Sequence, residues 1–331
     1  MPDCTAPRVG LVGAGTISHL HLPHLLRLGA DVLVYAQAGA GELTAAYGGT
    51  VAGSLDELLS QVDIVDVATP TYTHYDVVRR ALAAGQDVIC EKPLARTSAE
   101  AAELTELAAR AGRALYPAHV VRYFPEYVTL RAAIRAGRLG DLAVLRFYRS
   151  GAFPARTAWY ADPELSGGII VDQMIHDLDQ ARWLAGEVVR VSATWTRRPG
   201  PHPAEAAHVL LTHASGAISQ ASGIWGPPHL EFITGYAVAG TGGVLAHDSA
   251  AERRYVRDLA GPGPSGPVPG IDPAEDPYFL VLQDLISAIR HGNEPRTTAA
   301  DGAQAVRIAA AAVTSAQSGQ PVDLALEVPA P

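Results

Sequence analysis

The sequence predicts an α/β protein: a doubly wound parallel sheet, then a second domain whose sheet is mostly antiparallel. Two observations carry this. Over about the first 115 residues, short apolar runs alternate with helix-length stretches, the pattern of βαβ units. Beyond roughly residue 120, strand-like runs follow one another with short turns, as antiparallel neighbours do.

Residues 8–12 (RVGLV) form an apolar strand that runs into Gly13-Ala14-Gly15-Thr16-Ile17-Ser18. Leu20, Leu22, Leu25, Leu26 and Leu28 give residues 19–28 the character of a buried helix. A strand at 32–35 follows, then a helix over 42–47, a strand at 50–52 and a helix over 55–59. Residues 64–68 (IVDVA) are the next buried strand, closed by Thr69-Pro70. A helix over 75–84 leads to a strand at 87–90, and a helix over 98–111 leads to a strand at 114–116. In the second half, a helix over 126–136 precedes an alternating strand at 143–149, and one helix is expected over 168–184. Strands follow at 189–197, 207–212, 217–224, 230–239 and 243–247, with a hairpin at His213-Ala214-Ser215-Gly216. Residues 258–277 are rich in Pro and Gly and read as an irregular surface loop. Helices over 278–291 and 299–318 close the chain. The change of pattern divides it into 1–120 and 121–331, with the last helices free to pack back on the first domain.

Composition narrows the function. At 331 residues the chain is long for one core. It carries 34 acidic against 25 basic side chains, for a net charge of -9, without basic clusters, which argues against nucleic acid as the main partner. No apolar run reaches about 18 residues, so nothing is expected to span a membrane. The opening MPDCTAPR lacks the layout of a signal peptide, and a cytoplasmic protein is expected. Cys4 and Cys90 are too few for a disulfide framework or a cysteine metal site, and no metal is expected.

One count stands out. Of the 25 basic side chains, 24 are arginine and only Lys92 is lysine. A coding bias that turns interchangeable lysines into arginines leaves a lysine where a compact, titratable ammonium is required. Chance survival at a neutral site is the alternative. Lys92 lies in Cys90-Glu91-Lys92-Pro93 at the end of a buried strand, where open α/β sheets bind their ligands. There its ammonium could donate to a substrate oxygen and stabilise developing negative charge on it. Cys90 reads as a buried strand residue rather than a nucleophile.

Gly13-x-Gly15-x-x-Ser18 follows a strand and opens a helix, the context in which a glycine turn binds a pyrophosphate. Ser18 stands in place of the third glycine. The acidic residue that usually holds the ribose of NAD is missing, since the second strand ends in Tyr35-Ala36-Gln37. No arginine is there for a 2′-phosphate either, so NAD and NADP both remain open. His74 follows the strand end at Thr69-Pro70 and is expected to line the cofactor edge. His19, His21 and His24 cluster on the first helix and are read as structural.

The third constellation is the run from Gly167 to Asp179. Asp172, His176 and Asp179 are spaced i, i+4, i+7 and would share one helical face. An imidazole beside carboxylates suits proton transfer near neutral pH. The same spacing also suits a capped, solvated helix face.

Together these residues resemble the glucose–fructose oxidoreductase/inositol dehydrogenase superfamily, Gfo/Idh/MocA. The match runs from about Arg8 to about Leu326. It rests on the glycine turn, Thr69–His74, Glu91-Lys92-Pro93, Arg122-Tyr123-Phe124-Pro125, residues 135–140, Trp159-Tyr160 and the Gly-Gly-x-x-x-Asp-x-x-x-His-x-x-Asp run. The resemblance implies a Rossmann domain followed by an α/β domain with a large open sheet, often used to form homo-oligomers, here a dimer or tetramer. It implies NAD(P)-dependent oxidation or reduction at a hydroxyl or carbonyl carbon of a sugar, cyclitol or related polyol. Lys92 would polarise the reacting oxygen, His176 act as acid/base, and Asp172 position substrate hydroxyls or the lysine. Cofactor contacts are expected from Gly13, Gly15, Thr16, Ile17, Ala36, Gln37, Thr69, Pro70, His74, Glu91 and Lys92. Substrate contacts are expected from Lys92, Arg122, Trp159, Tyr160, Asp172 and His176. A cis bond before Pro93 is implied, and Met174, where a small residue is frequent, is expected to narrow the pocket. Loops 151–166, 199–206 and 258–277 would carry specificity. Two other readings are a nicotinamide-retaining glycosidase and a non-catalytic NAD(P) or sugar sensor.

Overall fold

The structure is a computed structural model describing residues 6–154, 157–200, 203–251, 255–259 and 275–326. The chain groups into two compact units, Met1–Tyr123 with Pro273–Gln304, and Phe124–Asp272 with Ala305–Pro331.

The first unit alternates strand and helix. Its elements are β1 (Arg8–Val12), α1 (Ser18–Arg27), β2 (Asp31–Tyr35), α2 (Ala40–Tyr47), β3 (Thr50–Val51), α3 (Leu55–Leu59), β4 (Ile64–Val67), α4 (His74–Ala83), β5 (Asp87–Glu91), α5 (Ser98–Ala111) and β6 (Leu115–Ala118). The strands pair in parallel in the order β3-β2-β1-β4-β5-β6. Strand order reverses between β1 and β4, the switch point at which such sheets bind ligands. Register matters as much as order. Tyr35, Val12, Val67 and Cys90 lie side by side across four strands, so the following turns all leave one edge of the sheet. All four residues of β4 are buried, as a parallel strand covered on both faces requires. α5 is fixed at its start by a capping box between Thr97 and Glu100.

The second unit contains α6 (Pro125–Arg135), β7 (Leu142–Ala152), α7 (Pro163–Ser166), α8 (Gly168–Asp172), α9 (Ile175–Ala185), β8 (Val188–Arg198), β9 (Ala204–His213), β10 (Ile218–Gly226), β11 (Ile233–Gly240), β12 (Gly243–Asp248) and β13 (Tyr255–Leu259). The chain ends with α10 (Pro277–His291), α11 (Ala299–Ser318) and β14 (Val322–Asp323). α10 lies in the first unit, packed on α1. The second sheet has eight strands in the order β13-β12-β11-β7-β10-β9-β8-β14. Every pairing is antiparallel except β7 with β10. α8 and α9 pack on β7, β9 and β10. On β9 and β10 the alternation leaves Leu210, Ile218 and Ile224 exposed.

Three expectations need correction. The helix over 168–184 is two helices. The Met174 N–H reaches back to the Ile169 carbonyl, five residues away, and the Asp177 N–H bonds to Met174, three away, so the helical path is wide and then tight. Asp172, His176 and Asp179 therefore do not share one continuous face, and Asp179 is buried. Met174 is itself fully buried, and a Cβ at Gly223 of β10 would stand 2.6 Å from its Cγ. It fills the space over that glycine and narrows no pocket. Finally, β13 takes in 258–259 and α10 starts at Pro277, trimming the expected loop at both ends. Residues 260–274 of that loop lie outside the described residues.

α9 is tied to the sheet by Arg149 of β7, whose Nε and Nη2 donate to the two oxygens of Asp177 at 3.3 and 3.0 Å. Both side chains are buried. Removing one partner of such a pair strands a charge, whereas replacing both with apolar groups does not. Arg149→Met alone should lower unfolding free energy by about 3–5 kcal/mol in urea denaturation, and Arg149→Met/Asp177→Leu should recover most of it. Equal losses in the two variants would contradict this.

Candidate active site

The turn after β1 is shaped by a close approach. Gly13 has φ +124°, and a Cβ there would lie 2.4 Å from the Ala68 carbonyl oxygen at the end of β4. Only glycine fits. The Gly13 N–H donates to Tyr35 at 2.8 Å, so the ends of β1, β2 and β4 are held together. Gly15 and Thr16 are exposed, Ile17 half-buried, and a Cβ at Gly15 would meet nothing within 4 Å. No side chain caps the start of α1 and its first turn holds no acidic residue. Free space over a glycine at an uncapped helix start fits a pyrophosphate. Ser18 is fully buried in place of the third glycine. Ala36 and Gln37 directly follow β2, and Thr69 and Pro70, both half-buried, follow β4.

Lys92 emerges half-buried from the end of β5, and its bond to Pro93 is cis. Both neighbours are held by buried histidines. On one side, Glu91 accepts the Lys92 N–H at 3.2 Å, and its other oxygen lies 3.3 Å from Nε2 of His21. His21 Nδ1 lies 2.8 Å from Asp66 of β4. Burial alone would pull the His21 pKa down, but Asp66 and Glu91 outweigh it and push it up to about 10. Burial likewise opposes ionisation of Glu91, yet His21, with Lys92 and His74, holds its carboxyl below the usual value. On the other side, His74 Nδ1 and Nε2 each lie 2.8 Å from a carbonyl oxygen, those of Pro93 and Thr69. His74 thus staples the β4 and β5 turns from the interior, rather than lining a surface, and burial draws its pKa down. Cys90 is fully buried, and burial pushes its thiol well above the usual range.

In the second unit, Asp172 ends α8 and His176 sits in the first turn of α9. Both are half-buried, while the surrounding residues 168–171, 173–175 and 177–181 are all buried. The broken helix therefore still presents these two polar side chains. The start of α8 is anchored by Glu205 of β9, which accepts the Ile169 N–H at 2.6 Å and the Trp195 indole N–H at 3.0 Å, beside Arg197 at 3.1 Å. Trp159 and Tyr160 stack at 3.9 Å, and Tyr160 meets the Trp225 ring edge-on at 6.4 Å. Trp225 in turn donates its indole N–H to Gln173, the residue after Asp172. The aromatic pair and the Asp172 end of α8 are thus linked.

Arg122, expected at the substrate, is 1% exposed and donates to the Arg296 carbonyl at 2.7 Å and to Asp301 at 3.2 Å. Its guanidinium joins two segments of the first unit. Sequence reasoning missed the partnership of His21 and Asp66, and missed Glu205. The signal for Asp66 was available: a carboxylate inside the buried run IVDV needs a partner. Glu205 carries no such mark in an ordinary alternating strand. Among the described residues, no group of three or more His, Cys, Asp or Glu is arranged to hold a metal ion. No described helix is long and apolar enough to cross a membrane.

The open glycine turn at a switch point makes the first unit a dinucleotide-binding domain. Residues 7–119 match the family described as "Oxidoreductase family, NAD-binding Rossmann fold", and 127–246 match "GFO/IDH/MocA C-terminal domain". The chain belongs to the Gfo/Idh/MocA family of NAD(P)-dependent oxidoreductases. It is 30% identical to D-apiose dehydrogenase of Paraburkholderia graminis, over 97% of this chain and 91% of that one. It is 29% identical to 1,5-anhydro-D-fructose reductase of Ensifer adhaerens, over 96% and 98% of the two chains. Among solved structures, GenD2 from gentamicin A biosynthesis, in complex with NAD, superposes with a TM-score of 0.83 at 25% identity, covering 98% of both chains.

Two outcomes follow. Because His21 is bound more tightly to its proton when folded, its stabilisation is complete below the unfolded value of 6.5 and disappears as pH rises through about 10. Urea midpoints should fall between pH 7 and 10 more steeply than in His21→Gln/Asp66→Asn; parallel profiles would refute the charged histidine. Ala36→Asp should weaken NADPH relative to NADH by charge repulsion at the end of β2, read by cofactor fluorescence titration. An unchanged ratio would place cofactor selection elsewhere.

Proposed function

We propose that this protein transfers a hydride between nicotinamide and a hydroxyl- or carbonyl-bearing carbon of a sugar, cyclitol or related polyol. The observation that carries the reading is Lys92, the one lysine of the chain, held between two histidine-anchored neighbours at the ligand-binding edge of the parallel sheet. The relatives named above, a D-apiose dehydrogenase and a 1,5-anhydro-D-fructose reductase, support the substrate class. A bound nicotinamide supplies the hydride acceptor or donor. Gly13, Gly15, Thr16 and Ile17 would hold its pyrophosphate, with Ala36-Gln37 and Thr69-Pro70 along the same edge. Lys92 donates to the reacting oxygen and stabilises its developing negative charge. His176 takes the hydroxyl proton in oxidation and returns it in reduction, and Asp172 orients a neighbouring hydroxyl. Trp159 and Tyr160 offer apolar ring faces to the substrate. The glycosidase and sensor readings have no comparable observation in their favour.

The exposed face of the second sheet carries Leu210, Ile218 and Ile224, with exposures of 46, 43 and 48%. We assign it to homo-oligomer formation, since large aliphatic side chains are left exposed on two adjacent strands, Leu210 diagonal to Ile218 across the register and Ile224 further along β10. Leu210→Glu/Ile224→Glu should halve or quarter the mass in sedimentation velocity; an unchanged mass would put the interface elsewhere. A nicotinamide-dependent sugar enzyme belongs where the cofactor pool is, and we assign it to the cytoplasm.

The activity is tested with NADH and NADPH against a panel of sugars, cyclitols and keto-sugars, followed at the nicotinamide absorbance band. Substrate-dependent redox change is expected, and its absence with every panel member would contradict the reading. Within this assay, Lys92→Arg should keep NADH affinity and lose turnover by roughly a hundredfold or more, because guanidinium reproduces the charge but not the position. His176→Ala should remove any pH limb near neutrality. Full activity in the first, or an intact limb in the second, would reject the assigned role.

A further inference from the structure

The first unit buries three titratable side chains with no part in the chemistry assigned above. Asp66 and His21 have fully buried side chains, and that of Glu91 is 9% exposed. They come from three elements: β4, α1 and β5. His21 sits between the two carboxylates, Nδ1 2.8 Å from Asp66 Oδ2 and Nε2 3.3 Å from Glu91 Oε1. A carboxylate oxygen faces each ring nitrogen, an arrangement that favours the imidazolium. The second oxygen of Glu91 accepts the backbone N–H of Lys92 at 3.2 Å. A chain of contacts thus runs from the interior of the sheet, through the first helix, to the backbone of the lysine.

We propose that His21 is a positioning residue for Lys92, acting through Glu91. The proposal rests on the role given to Lys92 under the proposed function. A buried carboxylate stays ionised only with a cation or several donors beside it. His21 provides that cation to Glu91, and Glu91 fixes the backbone from which the Lys92 side chain departs. Asp66 completes the cluster by holding the imidazole ring. Displacing a reacting group by about 1 Å can lower turnover a hundredfold, so control of this backbone is control of the reaction.

A purely structural ion cluster makes a different prediction, and the single lysine allows the two to be separated. Full-length protein labelled with 13C-lysine gives one Cε resonance, which reports on Lys92 without assignment. Two double variants are compared. His21→Gln/Asp66→Asn keeps a donor toward Glu91 and the net charge of the cluster. His21→Leu/Asp66→Leu fills the volume but leaves Glu91 without its donor. The proposal predicts that the Leu pair displaces the lysine resonance and lowers turnover of the best panel substrate about a hundredfold, with NADH affinity within about twofold of the parent. The Gln/Asn pair should return the resonance toward the parent position. Glu91→Ala, which removes the link itself, should displace it as the Leu pair does, and serves if the Leu pair does not fold. A lysine resonance unmoved in Glu91→Ala or in the folded Leu pair would overturn the proposal. So would equal displacement in both double variants that merely follows their loss of thermal stability. The resonance needs no cofactor, so the two failures are distinguishable: an unmoved resonance overturns the positioning itself, whereas absent nicotinamide activity overturns the functional reading on which its effect on turnover rests.

Discussion

A carboxylate in the middle of a buried parallel strand cannot remain charged alone, and the first unit is organised around that constraint. Asp66 lies in β4, between β1 and β5, and is fully buried. Its partner His21 comes from the second turn of α1, which fixes the helix over the sheet by a charged contact as well as by Leu22 and Leu25. The same imidazole reaches Glu91 at the end of β5. One ring therefore relates the helix that begins at the glycine turn to the strand that leads into Lys92. Packing alone would set these elements within the slack of apolar side chains; paired charges in a low-dielectric interior set them more narrowly.

The second unit solves a similar problem with different residues. α9 must lie on the sheet while presenting a polar side chain, and Arg149 with Asp177 supplies a bidentate buried tie next to His176. Glu205 does the corresponding work at the start of α8, where it accepts an otherwise orphaned helix N–H. Between these anchors the helix changes winding at Gln173 and Met174. Met174 drops into the space above Gly223, and Gln173 engages Trp225. The irregularity is what lets Asp172 and His176 remain accessible while their neighbours are buried.

Much of this was legible in the amino-acid order. Alternating apolar runs and helix stretches give the parallel sheet because each strand there is buried on both faces and reads as apolar without interruption. The hairpin at 213–216 was readable because its turn residues are distinctive. The break between α8 and α9 was not, since nothing in Val171–Ile175 is a helix breaker, and Met174 at the break lies over a glycine on a distant strand. Nor was the parallel pairing of β7 with β10, which depends on where a crossover lands rather than on local pattern. Lys92, Asp172 and His176 stood out by rarity and spacing. Arg122 entered only through the family motif and is buried among backbone and carboxylate partners, so motif membership alone does not separate a residue that acts from one that holds. Tyr123 beside it makes the same point, its hydroxyl donating to Asp284 at 2.6 Å.

The central claim is that a hydride passes between the cofactor held at this sheet edge and a carbon of a sugar or polyol. It is tested most directly by following the label from NADH stereospecifically deuterated at C4, in separate preparations for each face, into the product of the keto-sugar that the protein reduces. Mass spectrometry should find one deuterium on the new carbinol carbon from one of the two preparations and none from the other. Reduction without deuterium in the product of either preparation would contradict direct hydride transfer and with it the role given to Lys92.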